Sequence, residues 1–355
     1  MMTPETLTAA VDRFPRVIVA NTPTPIEKFD NLGSDLGISL YAKRDDYTGI
    51  GFGGNKVRQL EFYFGAALVQ GADTVLITGA VQSNFARSAA AIARRLNLEC
   101  HVQLEERVAG ASDLYRENGN VLLDHLLGAT IHTYSEGGNE AGADASVRRI
   151  ANELKSAGRN PYVIPLGIDS PPLGALGYVL AAVELAEQLE KLGAFDGIVI
   201  GSGSSLSHVG LLLGLRAMGI DLAIHGVCVR REAEAQHARV VQRFGDLAEL
   251  LGVDIEIDES DVNLHDGVFA PGYGQLNGST IEAILRTARR EGVFLDPTYT
   301  GKTMAELIHL VETDTFSGDR ILFWHTGGQP ALFGYADQLN ASLTDISNAG
   351  RTHDA

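Results

Sequence analysis

The sequence predicts an α/β protein built on mainly parallel sheets. Three observations point there. Short apolar runs alternate with helix-period segments from about residue 57 onward. Most of these runs are continuously apolar, as strands covered on both faces are. Glycines and hydroxyl residues cluster in the loops that follow them. In chain order, the spacing of Leu60, Phe64, Ala67 and Leu68 predicts a helix over 57–70. TVLIT predicts a strand at 74–78, with a helix over 84–97 behind it. ECHVQL (99–104) and ATIHT (129–133) are the next strands, followed by helices over 113–126 and 144–157 respectively. PYVIP (161–165) leads to a helix over 174–192, GIVIG (197–201) to one over 205–217, and LAIHGVCV (222–229) to one over 232–251. Helices over 279–290 and 302–312 precede the last strand, RILFWH (320–325), and a final helix over 330–339. GNEAGADA (138–145) reads as a small-residue loop, and there is no internal repeat. Such alternation means parallel strands joined by right-handed crossovers. Ligands then bind beyond the carboxyl ends of the strands, where loops meet helix N-termini.

Bulk properties narrow the function classes. A chain of 355 residues suits one large domain or two ordinary ones. With 45% hydrophobic and 21% charged residues it reads as a globular protein, with about ten disordered residues expected at each end. A net charge of −17 argues against nucleic acid or an anionic membrane as partner, but leaves a small anionic substrate open. Cys100 and Cys228 lie in strand-like apolar runs, which predicts buried free thiols; no metal-ligand spacing exists, so no metal site is expected. The N-terminus lacks the apolar core of a signal peptide and no run is long enough to span a bilayer, so a cytoplasmic protein is expected.

Four loops carry polar signals where a ligand would bind. The first, Gly51-Phe52-Gly53-Gly54-Asn55-Lys56, opens a helix. Asn55 suits an N-cap, and Lys56 falls in the first turn, where the helix dipole disfavours a cation and lowers the amine pKa. Taken alone, a lysine beside a glycine turn is more often a solvated surface group. The second loop, Gly79 to Asn84, offers Ser83 and Asn84 at a helix start, either as caps or as ligand contacts. The third, Gly201-Ser202-Gly203-Ser204-Ser205-Leu206-Ser207-His208, places backbone N–H groups and hydroxyls where an anion could sit. It is neither GxGxxG nor a P-loop, which counts against a nicotinamide-dependent oxidoreductase. The fourth, His325-Thr326-Gly327-Gly328, lies downstream of DPTYTGK (296–302) and reads in isolation as a tight turn.

Together these segments resemble one family. GFGGNKVRQLE, GAVQSNFAR, IPLGIDSPPLGALGY, PGYGQLNGSTIEAI, LDPTYTGKTMAELI and HTGGQPALFGY are similar, in order, to blocks of the D-cysteine desulfhydrase and 1-aminocyclopropane-1-carboxylate (ACC) deaminase family of fold-type II pyridoxal phosphate (PLP) enzymes. The resemblance covers roughly residues 14–340. It implies two three-layer domains with PLP in the cleft between them: a large domain of 1–50 and 165–355, and a small one of 51–164. It also implies a homodimer and a small amino-acid substrate. By position, Lys56 would be the Schiff-base lysine and Asn84 would bond the phenolic oxygen. Ser83 would contact the substrate carboxylate or assist proton transfer. Ser204, Ser205, Leu206 and Ser207 would bind the phosphate, and Tyr273 and Tyr299 would face the substrate. Thr300 would meet the pyridine nitrogen, and Thr326 and Gly327 would line the pocket. Two departures stand out. The family's TGxTxAG phosphate loop is replaced here, with Ser205 where glycine is usual. Thr300 stands where the ACC deaminase branch carries glutamate, which favours β-elimination over ring opening. The resemblance therefore implies D-cysteine desulfhydrase-like chemistry first, then an L-cysteate sulfo-lyase, then ACC deaminase. A non-catalytic ligand-binding homologue also remains open.

Overall fold

The computed structural model describes residues 1–353, with side chains through Thr344. Its ten strands are β1 (Ile26–Lys28), β2 (Ser39–Arg44), β3 (Thr74–Ala80), β4 (Glu99–Glu105), β5 (Thr130–Tyr134), β6 (Pro161–Ile164), β7 (Gly197–Ser202), β8 (Ile224–Cys228), β9 (Asn263–His265) and β10 (Arg320–His325). The helices are α1 (Pro4–Val11), α2 (Asp30–Leu36), α3 (Asn55–Val69), α4 (Asn84–Arg95), α5 (Asp113–Glu117), α6 (Asn120–Leu126) and α7 (Glu140–Ser156). They continue as α8 (Leu176–Leu192), α9 (Leu206–Ala217), α10 (Ala233–Leu251), α11 (Gly278–Glu291), α12 (Thr300–Glu312), α13 (Ala331–Gly334) and α14 (Ala336–His353).

The strands form two sheets, one ordered β1-β2-β10-β7-β8-β9 and the other β5-β4-β3-β6. Every pairing is parallel except β1 with β2. Alternate residues of each strand feed opposite layers. In the larger sheet Ile198, Ile200, Leu322 and Trp324 join a core with residues of α1, α8, α9 and α10. Val199, Ile321 and Phe323 face the other way, onto α2, α11 and α12. In the smaller sheet Val75, Ile77 and Val102 pack under α3 and α4, whereas Leu76 packs on Val147, Ile150 and Ala151 of α7. Both sheets are thus sandwiched between helices, which is why β3, β7 and much of β10 read as nearly unbroken apolar runs. Cys100 and Cys228 are buried and unpaired. Among the described residues no helix is long and apolar enough to cross a membrane.

Several expectations are corrected. The N-terminal residues are not disordered: α1 is capped by Thr3 and buries Leu7 and Val11. The corresponding expectation for the C-terminal ten residues falls on positions whose side chains lie outside the described residues. The helix expected over 113–126 breaks at Gly119, where φ is 63°. Residues 140–145 open α7 rather than forming a loop, because the Asn139 side chain accepts from Gly142 N at 2.9 Å. β2 reads as polar but is interior. Its Lys43 is fully buried against Glu184 and Gln188, and Arg44 pairs with Asp46 at 2.7 Å.

Candidate active site

The carboxyl ends of β3, β4, β6, β7, β8 and β10 all deliver residues to one cavity between the two sheets. Lys56 enters it from α3. The loop before it holds Gly49, Gly51, Phe52, Gly53 and Gly54 at positive φ, a run that only a glycine-rich segment can adopt. Gly54, not Asn55, is the N-cap of α3. Asn55 is freed to donate from Nδ2 to Ser207 Oγ at 3.0 Å, which ties the lysine loop to the 204–208 loop. Two backbone bonds fix the turn, Gly54 N to Asp45 O at 3.0 Å and Asn55 N to Thr326 O at 2.9 Å. Asp45 is itself immobilised: its buried carboxylate accepts from Thr24, Arg58, Tyr178 and Trp324. Among the described residues Lys56 Nζ has only Gln59 Oε1 at 3.3 Å and the Phe85 ring at 5.5 Å. Burial, with a smaller push from the positive Arg230, lowers its pKa to about 8.

Ser83 caps α4, its Oγ accepting from Ala86 N at 3.1 Å, so its own proton remains available. Asn84 opens the helix. Its Oδ1 accepts from Asn120 Nδ2 at 2.9 Å, which leaves Nδ2 as the amide's free donor among the described residues. Tyr273 and Tyr299 meet hydroxyl to hydroxyl at 2.8 Å, and burial followed by its neighbour Tyr273 raises the Tyr299 pKa well above the ordinary phenol value. Thr326 and Gly327 line the wall beside Lys56. Thr300 does not line the cavity. It is fully buried, with Oγ1 donating to Asp296 Oδ1 and accepting from Asp296 N, both at 2.7 Å. Its one proton is therefore spent on Asp296.

Residues 203–205 join β7 to α9, whose first turn holds Leu206, Ser207 and His208. Val209 N is the first amide to find a backbone acceptor, Ser205 O at 2.8 Å. The N–H groups of Ser204, Ser205, Leu206, Ser207 and His208 have no acceptor among the described residues. Five such donors at a helix start, with the Ser204, Ser205 and Ser207 hydroxyls beside them, form a cradle for an anion.

A family model described as pyridoxal-phosphate dependent enzyme matches residues 17–327. The chain belongs to the PLP-dependent enzyme family. It is 42% identical over 324 residues to the D-cysteine desulfhydrases of Salmonella newport (strain SL254) and Salmonella heidelberg (strain SL476), covering 91% of this chain and 97% of each relative. Among solved structures, an ACC deaminase homologue superposes with a TM-score of 0.85 at 37% identity, covering 96% of this chain and 99% of that one. An O-ureido-L-serine synthase, at 17% identity and a TM-score of 0.61, shares the fold.

This PLP-family cavity fits its cofactor on chemical grounds. It offers an amine of lowered pKa for an aldehyde, an unpaired amide donor for a phenolic oxygen, and a row of unpaired N–H groups for a phosphate. It also holds residues that sequence reasoning missed. Arg107, Arg230 and Arg243 line it, and no aspartate or glutamate does among the described residues. Arg107 and Arg230 each lie two residues beyond a strand end, β4 and β8, where the carboxyl-end rule would have found them. Arg243 sits inside α10, where nothing in its local pattern marks it.

Proposed function

We propose that this chain is a β-eliminating carbon–sulfur lyase that converts D-cysteine to pyruvate, sulfide and ammonia. The observation that carries this is the composition of the cavity wall: one amine of lowered pKa, hydroxyl and amide donors, guanidinium groups, and no carboxylate among the described residues. PLP, when bound, withdraws electrons from the substrate Cα. A carboxylate beside its ring nitrogen would strengthen that withdrawal. The lack of one suits β-elimination, in which the leaving group removes the charge as it builds, better than cyclopropane opening. Thr300, which the resemblance sets at the pyridine nitrogen, carries no charge, and its hydroxyl donates to Asp296 Oδ1.

The roles of the chain's own residues follow. Lys56 would anchor the cofactor through Nζ and serve at that atom as the base for the Cα proton. Its low pKa keeps a useful neutral fraction near neutrality. Ser83 Oγ–H and the start of α4 hold the substrate carboxylate, and Asn84 Nδ2 donates to the phenolic oxygen. The N–H groups and hydroxyls of Ser204, Ser205, Leu206 and Ser207 hold the phosphate. Tyr299, its pKa raised, retains its proton and, with Tyr273, donates to the departing thiolate. Thr326 and Gly327 close the wall beside Lys56. The proposed division into lobes of 51–164 and of 1–50 with 165–355 is supported by the four strands of the smaller sheet, which all lie between Thr74 and Ile164. A cytoplasmic homodimer goes with this assignment. Exposed Ile18, Tyr47 and Phe52, on segments joined by the Ala20–Gly49 bridge, supply apolar surface for a second copy.

One observation favours a second substrate, L-cysteate. Arg107 and Arg230 line the cavity, held by Glu105 at 2.8 Å and Glu140 at 2.5 Å, and their remaining N–H donors would pair with a sulfonate, giving pyruvate, sulfite and ammonia. Purified PLP-loaded protein, assayed for sulfide, sulfite and 2-oxobutyrate with D-cysteine, L-cysteate and ACC, separates the cases. Sulfide from D-cysteine is expected. Pyruvate from neither sulfur substrate would sink the proposal.

A further inference from the structure

We propose that Gln236, on α10, is a positioning residue for the phosphate cradle: it clamps Ser205 in a left-handed turn and aims the donors of Ser204 and Ser205 into the cavity. This rests on the 204–208 loop being the phosphate site. Ser205 has φ of 73° and ψ of −15°, a conformation that L side chains rarely adopt and that a glycine adopts freely. The sequence puts a serine there, so something outside the loop must hold it.

The fully buried Gln236 does so. Its Nε2 lies 2.9 Å from Ser205 Oγ, 2.9 Å from Ser202 Oγ and 3.2 Å from Gly203 O. A carbonyl can only accept, which fixes the amide with its nitrogen toward the loop. Its Oε1 finds no partner among the described residues, so the amide is a burden on the core that a hydrocarbon side chain would spare. Two consequences follow from geometry. Ser205 Oγ accepts from Gln236 and therefore keeps its own proton to give. Gly203 C=O and Ser204 N–H belong to one trans peptide plane and point opposite ways, so holding the carbonyl against α10 turns the N–H toward the cavity. Arg231 Nη1, at 3.0 Å from Gly203 O, and Arg239 Nε, at 3.4 Å from Ser204 O, act in the same sense and add charge. Gln236 adds direction without charge.

The test titrates apo protein with PLP and with pyridoxal, which lacks the phosphate, following the lysine-linked chromophore by absorbance. Gln236→Leu should weaken PLP binding about tenfold and leave pyridoxal binding within about twofold. Gln236→Met is the second variant should leucine fail to pack. With Ser205→Gly, the turn needs no clamp and no Ser205 hydroxyl needs aiming, which leaves Gln236 only the weaker 3.2 Å hold on Gly203 O, so adding Gln236→Leu should cost no more than about threefold. Equal weakening toward both ligands, or an undiminished effect beside Ser205→Gly, would overturn the role of Gln236. Ser205→Asp tests the cradle separately. It should abolish PLP binding and spare pyridoxal. If it binds PLP as the wild type does, the phosphate site itself is misassigned. If it blocks PLP while Gln236→Leu binds normally, only the positioning role fails.

Discussion

The chemistry proposed for Lys56 depends on its amine being neutral when most lysines are charged. Its pKa falls from 10.5 to about 8, first because burial strips water from the ammonium and second because Arg230 is positive. Among the described residues no carboxylate lines the cavity to offset either effect, and Gln59 Oε1 at 3.3 Å is a weak acceptor. At pH 7 such an amine is roughly 300-fold more often neutral than an ordinary lysine. Competitive labelling of the apo protein with acetic anhydride, read by mass spectrometry of the Lys56 peptide from pH 6 to 11, should therefore inflect near pH 8. The same shift has a stability sign. A lysine whose folded pKa is depressed contributes fully only above its unfolded value of 10.5, and that contribution is lost as pH falls through 8. At pH 7 the apo protein thus bears a cost of up to about 3 kcal/mol, reduced by whatever water the cavity admits. Lys56→Met should abolish turnover yet raise the denaturant midpoint of the apo protein. An inflection at pH 10, or an apo Lys56→Met protein less stable than the wild type, would refute the account of a desolvated, unpaired amine.

Two further perturbations test neighbouring groups. Arg107→Gln should raise KM for L-cysteate by about tenfold or more, the usual worth of a charge-assisted hydrogen bond, with little change for D-cysteine; equal effects on both would remove the guanidinium from sulfonate recognition. Burial, aided by His225, lowers the His208 pKa from 6.5 to about 4. It therefore folds neutral, and its contribution, present above pH 6.5, should be lost by up to roughly 3 kcal/mol as pH falls toward 4. Unfolding titrations of wild type and His208→Leu across that window should differ in slope, and parallel curves would count against it.

The sequence displayed what burial on both faces writes into it. The strands at 74–78 and 320–325 are recovered within two residues because each carries a run of apolar residues on both faces, and 99–104 because Cys100, Val102 and Leu104 alternate with polar residues at strand period. β2 was invisible for the opposite reason: Lys43 and Arg44 are interior but neutralised by Glu184, Glu27 and Asp46, residues distant or local in ways that no period reveals. The three-residue strands β1 and β9 are too short to show a pattern. Lys56, Ser83, Asn84, Tyr273, Tyr299 and the 204–207 segment, all read from ordered motifs, do meet in one cavity. Thr300 does not join them, because its hydroxyl finds Asp296 four residues upstream. Arg243 could not be read at all, since its place in the wall depends on how α10 crosses the 167–170 segment, where its guanidinium donates to Gly167 O and Ser170 O.

Glu140 connects these points. It opens α7, which packs on the smaller sheet, yet its carboxylate serves three guanidiniums of the larger-sheet side: Arg230 and Arg231 at 2.5 Å and Arg239 at 3.6 Å. Burial alone would raise its pKa, but the arginines outweigh burial and hold it below the ordinary value. Arg231 and Arg239 also donate to the carbonyls of Gly203 and Ser204, in the loop proposed to hold the phosphate, so the same cations would answer to Glu140 and, through that loop, to a bound phosphate. Without the phosphate, Glu140 is their main counter-charge. With it, a second anion shares the work. Glu140→Gln should thus destabilise the apo protein by about 3 kcal/mol, the lower end for breaking a buried pair because the arginines are partly exposed. The PLP-loaded protein should lose less, since the phosphate remains. By linkage the variant then binds PLP more tightly relative to its own unfolding, even as its apo form weakens. Matched denaturation of apo and loaded protein measures both losses. If they are equal, Glu140 and the cradle do not share their cations, and the arginines serve the fold rather than the cofactor.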